Sequence, residues 1–182
     1  MREDGILKSK SKILYAVLIC VLSCAAVAET VRTFEVSSAL ISFHGKTLKF
    51  GESYTPEKFE QKFGKSLGRE SYPPGAWDIS YLDEGIVFFF TENDKLKRLA
   101  FYMDYFDKIN LYEVTISKGD TYKTIRKQLE DKNLSFSVTE YPKQGWQFNV
   151  DISTDHGEYV VRIDCPAMKT REVETVYFSR EY

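Results

Sequence analysis

Tyr72-Pro73-Pro74-Gly75-Ala76-Trp77 and Tyr141-Pro142-Lys143-Gln144-Gly145-Trp146 spell one phrase twice, Tyr-Pro-x-x-x-Trp, 69 positions apart. Each copy lies between a stretch with helical spacing and a run of strand-like residues. The flanks correspond as well: Phe59 and Phe63 match Ile125 and Leu129 at an offset of 66, and Asp83-Glu84-Gly85 matches Asp155-His156-Gly157 at an offset of 72. Self-similarity over such a distance marks a supersecondary unit used twice. The expectation is an α+β fold of two tandem repeats, each a helix packed on an antiparallel β-meander. Residues 29–110 would hold an N-terminal hairpin and the first unit, and residues 111–182 the second.

Residues 1–28 have the three parts of a secretory signal. Lys8, Lys10 and Lys12 precede an apolar run from Ile13, and Ala26-Val27-Ala28 forms a small-x-small cleavage site. The stretch from Ile13 to Ala28 is 16 residues, short of the roughly 20 that a spanning helix needs. Cleavage after Ala28 and a periplasmic location are expected. Val21-Leu22-Ser23-Cys24 also resembles a bacterial lipobox, so membrane attachment is expected only if Cys24 is lipidated.

Without residues 1–28 the chain keeps 154 residues, 21 of them basic and 25 acidic, for a net charge of −4. That balance speaks against nucleic acid as a partner, because phosphate binding needs a cationic surface. Cys20 and Cys24 leave with the signal, so Cys165 stands alone and no internal disulfide forms. Its place at the end of Tyr159-Val160-Val161-Arg162-Ile163 suits a buried, inert thiol.

Phe34 to Phe50, punctuated by His44-Gly45, reads as a hairpin. Thr55-Pro56-Glu57 then has the chemistry of a helix start: a capping hydroxyl, proline in the first turn and an acid at the positive end of the dipole. Gly64 stops that helix. Trp77, Ile79 and Tyr81 alternate with Asp78 and Ser80, which directs the Trp77 side inward. Ile86 to Phe90 and Leu96 to Met103 follow as strands, and Tyr105 to Asn110 as a joint. Leu111 to Ile116 reads as one strand, Thr121 as the cap of a helix carrying Ile125 and Leu129, and Trp146, Phe148, Val150 and Ile152 as the inward side of a half-buried antiparallel strand. Trp77 and Trp146 are expected at equivalent core sites.

Catalytic patterns are missing from this text. There is no Gly-x-Ser-x-Gly, no His-Glu-x-x-His and no cysteine pair at metal spacing. Asp151, Asp155, His156 and Asp164 could gather about a cation, but acids at strand ends are ordinarily solvated. The reading is a non-enzyme with no cofactor and no metal.

The helix followed by Phe63-Gly64-Lys65, the strand opening at Trp77, the run Ile86 to Phe90 and Asp94-Lys95-Leu96 resemble the small outer-membrane-assembly lipoproteins of the SmpA/OmlA type. Gly119-Asp120-Thr121 through Ile125 and Leu129 to Trp146 is similar. Two such units resemble the β-lactamase inhibitory protein architecture, in which a doubled unit makes one sheet that grips an enzyme, although its disulfides are lacking here. The build is also similar to periplasmic immunity proteins. These resemblances imply a periplasmic binding protein that inhibits or neutralises a toxin or envelope enzyme, with an envelope-assembly or scaffold component as the alternative.

Pleat alternation places the expected contact residues opposite the helices: Arg98 and Tyr102, joined by Arg162 and Tyr177, with Phe88 and Phe90 beside them. Aromatic rings and arginine amid short polar residues are the composition of protein-recognition hot spots. The competing reading covers Phe88 and Phe90 with the Phe34–Phe50 hairpin.

Overall fold

Thr55 and Gly64 bound the first helix as their chemistry requires. In the computed structural model, which describes residues 31–38, 40–167 and 171–180, helix α1 spans Pro56–Phe63. The Lys58 N–H donates to Thr55 Oγ1 at 3.4 Å, and Gly64 takes φ +102° to turn the chain away. Helix α2 spans Tyr122–Asp131, and there the Thr121 N–H donates to Thr124 Oγ1 at 2.6 Å. Each helix buries one pair of side chains four residues apart, Phe59 with Phe63 and Ile125 with Leu129. The expected signal segment, with Cys24, lies outside the described residues. Among those residues no helix is long and apolar enough to cross a membrane.

The strands are β1 (Thr33–Val36), β2 (Leu40–Phe43), β3 (Lys46–Lys49), β4 (Gly68–Tyr72), β5 (Ala76–Tyr81), β6 (Ile86–Phe90), β7 (Leu96–Tyr102), β8 (Lys108–Leu111), β9 (Val114–Ser117), β10 (Phe136–Tyr141), β11 (Gly145–Thr154), β12 (Gly157–Pro166) and β13 (Thr175–Arg180). Eight of them form one antiparallel sheet in the order β10-β11-β12-β13-β7-β6-β5-β4. Its centre is the pairing of β7 with β13, where Phe101 faces Val176 and Leu99 faces Phe178. A second sheet pairs β1 parallel to β8 and β8 antiparallel to β9, and β2 with β3 makes a hairpin.

These smaller pieces all pack on the same side of the large sheet. Phe43 of the hairpin and Phe59 of α1 reach Phe88 at 4.9 and 5.1 Å, Phe34 of β1 meets Phe101 at 4.7 Å, and Tyr122 of α2 meets Phe148 at 5.1 Å. Burying one such ring is worth about 1.5–3 kcal/mol, so these aromatics contribute much of the core, together with aliphatic side chains such as Ile41, Leu48, Ile79 and Leu99.

This architecture corrects the expected fold class. Strands hold 54% of the described residues and helical turns 14%, and the fold is mainly β rather than an α+β pair of helix-on-meander repeats. The reason is pairing: hydrogen bonds between β7 and β13 merge the strands into a single eight-stranded sheet, and five further strands build on it. Other expectations also change. The Phe34–Phe50 stretch divides into β1, which joins β8, and the true hairpin β2–β3. Leu111 to Ile116 is not one strand: Leu111 ends β8 and Val114 opens β9, with a turn at Tyr112 (φ +53°) and Glu113 between them.

Phe88 and Phe90 are corrected too. They are 0% and 3% exposed and belong to the core, not to a contact surface. Cross-strand partners share a face, and Phe88 pairs with Ile79 and Leu99 while Trp77 pairs with Phe90. Phe43 of the hairpin and Phe59 of α1 cover Phe88 from above.

Candidate functional site: the open face of the sheet

The side of the large sheet away from the helices can be read row by row from the register. One row runs Glu70, Asp78, Phe89, Arg98, Ser179, Val160 and Asp151, from β4 to β11; the next carries Ser80, Val87, Ala100, Tyr177, Arg162 and Asn149. Tyr102, Thr175, Asp164 and Gln147 make a third. Of the expected contact residues, Arg98, Tyr102, Arg162 and Tyr177 are thus brought together on three adjacent strands at the middle of the sheet.

Their geometry is that of a stack. The Arg162 guanidinium lies 4.6 Å from the centre of the Tyr177 ring and that of Arg98 lies 5.9 Å from it. Arg162 also grips Asp164 through Nε and Nη2, both at 2.9 Å. The hydrogen bonds that Arg162 donates to Asp164 raise its pKa, while burial raises that of Tyr177. A cation on a tyrosine face is worth about 0.5–1 kcal/mol when exposed and more once water is excluded, so a covering partner would strengthen this stack. The paired Asp164 is also removed from the cation cluster considered in the sequence. Among the described residues no group of three His, Cys, Asp or Glu side chains gathers to hold a metal ion.

The β4–β5 end has the opposite character. The Tyr72 hydroxyl is 2.7 Å from Asp78 Oδ2 and 2.9 Å from Glu70 Oε2, bridging two carboxylates that sit directly opposite one another. Burial, and then the neighbouring Glu70 charge, raise the Asp78 pKa. Between the acidic end and the arginines lie Phe89 and Val87. Sequence reading missed this pair, since five apolar residues in a row carry no alternation to say which of them face outward.

At the other end of the face lies an open pocket of about 430 Å³, lined by Tyr141, Gln144, Gln147, Arg162, Asp164 and Glu174 among others. Gly145 is part of its lining, at φ +127°, where a Cβ would fall 2.0 Å from the Cys165 carbonyl oxygen. No side chain fits there, so Tyr141 and Pro166 flank a gap in their row. Cys165 itself is 3% exposed, and burial pushes its thiol up to about 12. Trp146 is half-buried against Tyr122 at 4.9 Å rather than enclosed as Trp77 is, so the two tryptophans are not equivalent.

His44 is a turn residue, at φ +50°, with further partners. Its Nδ1 meets the Phe63 carbonyl oxygen at 2.5 Å and its Nε2 meets Glu84 Oε1 at 2.6 Å, on the helix side of the molecule. Those contacts tie the β2–β3 hairpin to α1 and to the β5–β6 turn.

No protein-family model, curated protein or solved structure matches this chain. The open face is therefore read from its own geometry.

Proposed function

We propose that the protein is a periplasmic binding module whose open sheet face holds a partner protein, a toxin or an envelope enzyme, and neutralises it. The observation that carries this reading is the Arg98–Tyr177–Arg162 stack with Tyr102 beside it, placed at the middle of an eight-stranded face whose side chains make their hydrogen bonds and ring contacts within the sheet. Tyrosine and arginine at the centre of a contact area are the residues that dominate protein recognition energy, and a polar rim around them keeps water out. Seven inter-strand steps of about 4.8 Å give the face a width of roughly 34 Å, enough for the ~800 Å² that a specific inhibitor contact covers on each side.

Residues 1–28 support delivery to the periplasm, and intact mass of the exported chain tests it: a start at Glu29 fits a free inhibitor, whereas a lipidated start at Cys24 fits a membrane-held scaffold. The face itself is tested by capture from native periplasm with the wild type and with Tyr102→Ala, Arg162→Ala and Tyr177→Ala. Loss of the captured partner in variants that stay folded supports the reading. Full retention by all three sinks it.

A further inference from the structure

The eight-stranded sheet ends at two edge strands, β4 and β10, and the two edges differ in chemistry. β4 carries Arg69 and Glu70, with Arg69 Nη1 held by Glu57 Oε1 at 2.8 Å and Glu70 tied to the Tyr72 hydroxyl. Charged side chains on an edge are a usual guard against the approach of another strand. β10 reads Phe136-Ser137-Val138-Thr139-Glu140-Tyr141, with no lysine, arginine, proline or glycine, and its pairing with β11 runs without a bulge. Phe136 meets Phe148 at 5.9 Å, which fixes the strand on the core.

The register decides which backbone groups of β10 are already used. One step before the Phe136–Val150 pair, the Asp151 N–H donates to the Ser135 carbonyl at 3.3 Å, so Ser135 and Asp151 are a hydrogen-bonded pair. In an antiparallel ladder such pairs alternate with pairs whose amides and carbonyls point away from the neighbour. Ser137, Thr139 and Tyr141 therefore bond to β11, while the N–H and C=O groups of Phe136, Val138 and Glu140 point outward. Among the described residues no strand lies beyond β10 to meet them. A row of unmade backbone bonds takes one class of ligand, another extended chain.

We infer that β10 is where a second copy of this chain adds, strand against strand and antiparallel, about a two-fold axis at Val138. The second copy is chosen because the strand fits itself. With Val138 opposite the second copy's Val138, Phe136 stands opposite the second copy's Glu140 and Glu140 opposite its Phe136. All three outward residues are then paired, each pair exchanging two hydrogen bonds. On the other face Ser137 meets the second copy's Thr139, and nowhere do like charges stand opposite one another. An axis at Glu140 would set two carboxylates together and leave Phe136 bare; an axis at Phe136 would leave Glu140 bare. A single strand covers less than the ~800 Å² per partner of a standard contact, so the dimer forms on concentration and parts on dilution. β7 and β13 lie inward of this edge, so the Arg98–Tyr177–Arg162 stack stays uncovered and the inference does not depend on what that face holds.

Sedimentation equilibrium of the exported chain tests this at concentrations from roughly 5 to 500 µM, a span suited to a contact of this size. The mass should pass from that of one chain towards that of two. Amide hydrogen exchange at both ends of the span reads the register. The Phe136, Val138 and Glu140 amides should exchange roughly threefold or more slowly in the concentrated sample, while those of Ser137 and Thr139, bonded within each copy, should not change. Val138→Lys and Val138→Glu each set like charges across the axis and should stay monomeric, and an equimolar mixture of the two should associate again. Tyr177→Ala, on the open face, should associate as the wild type does. The inference is overturned by the mass of one chain throughout, by association that survives in Val138→Lys alone, or by concentration-dependent protection centred away from β10. If either Val138 variant fails to fold, the alternation of exchange along β10 in the wild type still decides.

Discussion

The indole of Trp77 lies flat on the ring of Phe90, with centroids 3.7 Å apart and planes 8° from parallel. Its Nε1–H donates to Asp94 Oδ1 at 2.8 Å. The stack joins β5 to β6 beneath α1, where Phe90 also meets Phe59 at 5.2 Å. Trp77→Ala is expected to lower the unfolding free energy by about 3–5 kcal/mol, as for other large buried aromatics. Trp146→Ala should cost less than half as much, because that ring is only half-buried. Urea unfolding followed by circular dichroism measures both, and equal losses would mean that the Trp146 ring is as enclosed as that of Trp77.

Phe88 and Phe89 are chain neighbours with opposite duties. Phe88 is fully buried among Phe43, Phe59 and Tyr81, whereas Phe89 pairs with Asp78 and Arg98 on the open face. Phe88→Ala should destabilise by roughly 3–5 kcal/mol. Phe89→Ala should leave the thermal midpoint much closer to wild type and weaken partner capture instead. If the two variants exchanged these behaviours, the β5–β6–β7 register would be off by one residue.

Asp78 makes stability depend on pH in an unusual direction for a carboxylate. Burial raises its pKa above the ordinary value of 3.8, so the folded state binds the proton more tightly than the unfolded chain does. Stability from this group is complete below the ordinary range and is lost as pH rises through the raised value. Glu60 acts the other way: the Ser66 hydroxyl and amide, at 2.6 and 2.9 Å, hold its pKa down, so its contribution is lost on acidification. The informative quantity is therefore Asp78→Asn minus wild type. That difference should favour the variant at pH 7 and shrink towards pH 3.5, since asparagine can still accept from Tyr72. Denaturant midpoints at the two pH values decide it, and a difference independent of pH would refute the role assigned to Asp78.

Gly145 and Gly45 both have positive φ, +127° and +67°, but only Gly145 has a neighbour in the way. Gly45→Ala meets nothing within 4 Å and should cost about 1–2 kcal/mol, the usual penalty of a left-handed backbone. Gly145→Ala must push β12 away from β11 and should cost clearly more, with lost protection of the Trp146 and Cys165 amides in hydrogen exchange. Similar melting temperatures for the two variants would show that the β11–β12 pairing can shift without loss.

Several features were legible before any fold existed, because they depend on neighbours in the chain. Thr55, Pro56 and Gly64 set the ends of α1 through local hydrogen bonding and fixed dihedrals. The alternation of Trp77, Ile79 and Tyr81, and of Phe148, Val150 and Ile152, selected a buried side by period alone, and Arg98, Tyr102, Arg162 and Tyr177 were assigned to one face by the same rule. The rest needed contacts between residues far apart in sequence. Ile86-Val87-Phe88-Phe89-Phe90 is apolar throughout, so only its hydrogen-bond register with β5 and β7 says that Phe88 and Phe90 go inward and Phe89 outward. No local signal announces that β7 pairs with β13, or that β1 lies parallel to β8 some 75 residues later, as Thr33 opposite Lys108 shows. Those long-range hydrogen bonds turned an expected pair of helix-on-meander units into one mainly β molecule, and they placed Tyr177 between Arg98 and Arg162.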